Sequence, residues 1–121
     1  MKPRSHEPIF WSLFGGGGML AALVGPILVL IVGLLVPMGM GFGPDAMGYE
    51  QMRALLGHPL VGFGLAILIA LFFFHAAHRI LHTLHDLGVH ATPRLKQICY
   101  GSAVGGSALA VLVALVLVVR A

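Results

Sequence analysis

Six ionisable side chains fall within one twelve-residue stretch of apolar sequence: His75, His78, Arg79, His82, His85 and Asp86. Imidazoles titrate near neutral pH and can donate, accept or ligate, and a guanidinium is a permanent fork of donors. Together they suit proton transfer, hydrogen bonding to a carbonyl, or axial ligation of haem. On a helix at about 100° per residue, with His75 at zero, His78 falls at about 300°, Arg79 at about 40°, His82 at about 340°, His85 at about 280° and Asp86 at about 20°. All six share an arc of roughly 120°. Ionisable groups at membrane depth are costly unless they face protein, water or a ligand, so this arc is a candidate functional site.

Three uses of the arc compete. The side chains can simply snorkel to the interface and bond helix ends or headgroups. A neutral imidazole, His75 or His78, can ligate haem. Or an imidazolium or guanidinium can donate to a quinone oxygen while a histidine moves protons to or from it. Asp86 near a helix C-terminus is disfavoured by the macrodipole and calls for a cationic neighbour, with His82 one turn earlier a candidate.

The elements that must position these groups follow from composition. The chain has 121 residues, of which 59% are hydrophobic and 9% charged, and its mean hydropathy is +1.00. A soluble domain carries about a quarter charged residues, so this is an integral membrane protein, all-α and forming a single membrane domain over residues 1–121. Apolar runs at about 19–40, 59–87 and 98–119 each supply the roughly 20 residues that cross the hydrocarbon. The opening segment does not read as a cleavable signal, because Glu7, Pro8 and Trp11 precede an apolar run too long for an h-region. With only three helices and little polar lining, one copy offers no transport pathway and is expected to complete a larger helical bundle.

Lys2 and Arg4 precede the first span, and Arg94 and Lys96 separate the second from the third. Positive-inside then puts the N-terminus and the histidine end of span two in the cytoplasm. The basic residues are scattered around the spans, which fits topology and gives no nucleic-acid footprint. Arg120 at the far end reads as a snorkelling anchor.

The flanks have simpler readings. Ser5 to Trp11 is expected to lie along the inner interface as a short segment, with Trp11 either an anchor or an N–H donor to a ligand carbonyl. Gly15 to Gly18 marks a bend or a close approach. It is not a phosphate loop, since no Lys-Ser or Lys-Thr follows and no strand precedes it. Pro26 and Pro37 are kink positions. Gly39 to His58 reads as a non-cytoplasmic loop with a short helical turn after Pro44-Asp45. His6, His58 and His90 read as solvated, and Cys99 as a small buried hydrophobe. Gly101 and Gly105, and Ser102, Gly106 and Ala110, have the small-xxx-small spacing of close helix packing.

Two stretches resemble a known family. The N-terminal run Arg4-Ser5-x-Glu7-Pro8-x-Phe10-Trp11-x-Leu13-Phe14-Gly15-x-Gly17-Gly18-Met19 and the span-two run His78-Arg79-x-x-His82-x-x-His85-Asp86-Leu87 are similar to the D-type membrane anchor of bacterial quinol:fumarate reductase. Asp45-Ala46-x-x-Tyr49-Glu50 fits as well, while the third span resembles it only in hydropathy and small residues. The resemblance implies a non-catalytic anchor in a bacterial inner-membrane complex of four parts, the others being a flavoprotein, an iron–sulfur protein and a second membrane anchor, termed C. Such an anchor docks the soluble pair on the cytoplasmic face and helps form the site of menaquinol oxidation in anaerobic respiration. Matched by position, Trp11, Arg79 and His82 would stand at the quinone, with His78, His85 and Asp86 behind them. His75 is outside the pattern, and Leu81 stands where some relatives add a histidine. His75 keeps open the alternative of a haem b-binding anchor of a succinate:quinone oxidoreductase, and a small transporter component is the third class.

Overall fold

A computed structural model describes residues 7–43 and 45–121, with Glu7 and Phe10 described by backbone alone. Lys2, Arg4, Ser5, His6 and Pro44, used above, lie outside the described residues. Among the described residues the chain is helical with no strand: α1 (Glu7–Leu30) runs into a π-helical turn (Ile31–Leu35), followed by α2 (Tyr49–Gly57), α3 (Pro59–Asp86) and α4 (Pro93–Val119). Three stretches, Trp11–Leu35, Pro59–Asp86 and Pro93–Val119, are long and apolar enough to cross a membrane. The chain is an all-α, multi-pass membrane protein.

The first span begins and ends earlier than the apolar run at 19–40. The helix is continuous from Glu7 through the four glycines. Glycine costs a helix about 1 kcal/mol per residue, but in lipid an unpaired backbone costs more, so the helical hydrogen bonds persist. At the other end Pro37 has no N–H and its ring crowds the carbonyl four residues back, at Gly33. The backbone widens there, with Val36 N–H donating to the Ile31 carbonyl at 2.9 Å and Met40 N–H to Leu35 at 2.9 Å. Gly39 (φ +66°) and Gly41 (φ +76°) then turn the chain out of the helix.

The loop carries more helix than expected, since α2 has nine residues and starts at Tyr49, beyond a turn in which Gly48 N–H donates to the Asp45 carbonyl at 2.8 Å. It packs across one end of α3 and α4. There Arg53 Nη2 donates to the Arg120 carbonyl at 3.4 Å, and a Cβ at Gly57 would lie 2.5 Å from that of Ala121.

α3 lies between α1 and α4, whose backbones do not pack on each other among the described residues. Both junctions depend on small residues. Along the α3–α4 seam, Ala77, Leu81, Cys99 and Ala103 form a buried cluster, continued by Ala66 and Ala114. Gly106 receives the Phe73 ring, whose edge would lie 2.8 Å from an added Cβ. Cys99 is free and buried, as expected of a small hydrophobe. Gly101 and Gly105 face open space instead, and Ser102 and Ser107 satisfy their hydroxyls on the carbonyls of Cys99 and Ala103 in their own helix. Most large apolar side chains are exposed, which suits a lipid-facing or partner-facing surface.

Capping sets the inter-helix turn that brings α4 back beside the end of α3. Gly88 (φ +86°) closes α3, with Gly88 N–H donating to His85 and Val89 N–H to Leu84, both at 2.9 Å. Thr92 Oγ1 accepts from Leu95 N–H at 3.2 Å and Pro93 takes the first helical position. α4 therefore begins in the polar flank, five residues before the apolar run at Ile98.

Candidate functional site

The ionisable arc of α3 is divided by its neighbours. A groove of about 680 Å³ opens between α1, α3 and α4, lined by Trp11, His78, Leu81, His82, His85, Ala91, Lys96 and Tyr100. His78, His82 and His85 occupy the part of the wheel from about 280° to about 340°. Arg79 and Asp86, at about 40° and 20°, fall on the far edge of the arc. Both are exposed and neither lines the groove. His75 points instead at α1, where its Nδ1 lies 3.1 Å from the Phe14 carbonyl.

Within the groove the imidazoles are coupled to aromatic rings. His78 Nδ1 lies 3.0 Å from the Tyr100 hydroxyl. A hydroxyl can donate or accept, so this bond can serve either neutral tautomer of His78 and leaves Nε2 uncommitted. The His82 ring lies 4.3 Å from that of His78, centroid to centroid, so its ring partner is another imidazole. Phe14 touches His78 at 4.2 Å and meets Trp11 edge-on at 6.2 Å and 80°. Trp11 itself is 70% exposed, leaving most of the indole uncovered by this chain. Leu81 and Ala91 supply apolar wall, and Lys96 a cation at the groove margin.

The glycine run makes this arrangement possible. A Cβ at Gly17 would strike the Leu71 carbonyl, and one at Gly18 would lie 2.7 Å from Cε1 of His75. The notch seats His75 against α1 and brings Trp11 and Phe14 to the groove. The imidazole is bonded through Nδ1 to the Phe14 carbonyl and stacked on the Phe14 ring at 4.9 Å and 8°. Among the described residues no group of three or more His, Cys, Asp or Glu could hold a metal ion.

Tyr100 and Lys96 escaped the sequence reading as groove residues. Lys96 registered only as a topological charge. Tyr100 carried a usable signal, since it is one of two tyrosines in the chain and its hydroxyl sits in a spanning helix, where it needs a partner.

The family model described as the D subunit of fumarate reductase matches residues 1–118. The chain belongs to the fumarate reductase D-subunit family. It is 42% identical over 97 residues to the fumarate reductase D subunit of Shewanella sp. (strain W3-18-1), covering 80% of this chain and 79% of that one. It is 41% identical over 108 residues to the D subunit of Vibrio cholerae serotype O1 (strain M66-2), covering 89% and 82%. With that of Photobacterium profundum it shares 38% identity over 109 residues, 90% of each chain. Fumarate reductase D subunits are membrane anchors, accessory to the complex and not its catalytic component. The groove is thus a feature of an anchor, and any chemistry there serves the complex.

Proposed function

We propose that the groove forms this chain's part of a menaquinol-oxidising site, at the cytoplasmic side of a bacterial inner membrane. The chain would pair there with a second membrane anchor and dock a flavoprotein and an iron–sulfur protein. The observation that carries this reading is the groove itself: imidazoles, a tyrosine and a lysine converge on an apolar wall large enough for a quinone ring, beside a tryptophan. Binding sites for small molecules combine an apolar lining with a few convergent polar groups in this way. The uncovered face of Trp11 suits completion by another component of the complex.

A bound menaquinol supplies two electrons and two protons. His82, exposed on the groove wall, can accept a proton from an occupant and release it to water. His78, held by Tyr100, can present Nε2 to an occupant's oxygen. Trp11 can bound the ring plane, and its indole N–H can donate. Arg79 sits outside the lining but on the same turns of α3, where its fixed positive charge raises the local potential. His85 and Lys96 stand at the groove margin as further donors, and Asp86 adds an acceptor nearby.

The test is a pair of activities in assembled complex. His82→Leu is expected to lower quinol-linked turnover about 100-fold, the scale of general acid–base catalysis, while fumarate reduction from a viologen donor is retained. Arg79→Gln should lower the same activity less. Equal loss of both activities, or loss of neither, contradicts the assignment.

A further inference from the structure

His75 does not line the groove and meets it through Phe14. A carbonyl oxygen only accepts, so the 3.1 Å bond to Phe14 requires the proton on His75 Nδ1, whether the ring is neutral or charged. Among the described residues this is the hydrogen bond that ties α1 to α3. The stacked ring contact, 4.9 Å and 8° from coplanar, fixes the same pair a second time. Gly18 leaves the space the imidazole occupies. Phe14 in turn contacts two groove residues, His78 at 4.2 Å and Trp11 at 6.2 Å.

We propose that His75 is a positioning residue for the groove: by donating from Nδ1 to the Phe14 carbonyl it holds Phe14, and through it sets where Trp11 and His78 stand. Its place in quinol turnover rests on the function proposed above, whereas its hold on Trp11 does not. Among the described residues the α1 backbone packs on α3 and on the π-helical turn that follows it and not on α4, so the register of Trp11 depends on the α1–α3 junction that this clasp closes.

Three measurements test it. In the full chain in lipid nanodiscs, ¹⁵N NMR with labelled histidine should show the His75 resonance as the Nδ1–H tautomer, identified by its loss in His75→Leu. An Nε2–H tautomer, with Nδ1 unprotonated, overturns the proposal. Trp11 is the single tryptophan of the chain, so fluorotryptophan reports its surroundings by ¹⁹F NMR. His75→Leu and, from the opposite side, Gly18→Ala should both move that resonance. His75→Asn, whose amide can donate near the Nδ1 position, should restore it. In assembled complex His75→Leu should raise the quinol KM about fivefold, the scale of one hydrogen bond, with kcat within about twofold. An unmoved Trp11 resonance, or a Trp11 shift with unchanged KM in a complex whose turnover depends on His82, overturns it. The two accounts fail differently: if the groove is not the quinol site, His82→Leu keeps its turnover while Trp11 still follows His75.

Discussion

The groove beside Trp11 and a second cleft beside Gly106 are both walled by α3 and α4, yet they hold different chemistry. The second cleft, of about 280 Å³, is lined by apolar residues such as Leu65, Ile69, Leu109 and Val113, with Gly62 and Gly106 on its floor. The groove brings three imidazoles, a phenol and an ammonium to a space of about 680 Å³. Helix packing alone therefore makes clefts in this chain, and small residues are enough to do so. What distinguishes the groove is that two of its polar side chains, His78 and Tyr100, are partnered across helices, and that α1 contributes an aromatic edge. The cleft beside Gly106 gets nothing from α1.

Substitutions in the two regions should separate on that basis. After the loss expected for His82→Leu, the next largest effect belongs to the apolar seam. Gly106→Leu forces a side chain against the Phe73 ring, and overpacking of this kind costs about 1–3 kcal/mol. It should reduce the yield of folded chain and of assembled complex, while the fraction that assembles keeps its quinol KM. A raised KM at normal yield would mean that the two regions are not separate.

Tyr100→Phe makes the opposite cut. It removes the hydroxyl beside His78 and leaves the packing, so yield should hold while the quinol KM rises about fivefold, one hydrogen bond's worth. Unchanged KM would remove Tyr100 from the account of the site. Arg53→Gln, in α2 at the far end, gives up an exposed 3.4 Å contact to the Arg120 carbonyl. Its effect on thermal stability should stay within about 0.5 kcal/mol, with both activities unchanged. A large loss there would show that the α2 end is coupled to the groove.

Much of this was legible in the chain before folding, and what was not has identifiable causes. Three apolar runs near twenty residues dictate three helices. Their ends were harder to read. α1 passes through glycines that break helices in water, because lipid offers its backbone no other partner, and α4 starts at a Thr92-Pro93 cap that hydropathy does not register.

The histidine spacing along α3 marked a face but could not divide it. Which part of the arc faces the groove depends on where α1 and α4 lie, and a helical wheel of α3 alone contains neither. Tyr100 was hidden for the same reason, since its bond to His78 spans 22 residues of sequence and is made by the register of two helices. His75, outside the family pattern, became intelligible only beside Gly18, which is 57 positions away in the chain.

Photoaffinity labelling of intact complex with an azido-substituted menaquinone tests the central claim most directly, because it asks which cleft the ring occupies. Label in peptides bearing His78 to His85 or Lys96 to Tyr100, reduced by competing menaquinone and by His82→Leu, is the predicted result. Label confined to the cleft of Leu109 and Val113, or absent from this chain, would contradict it.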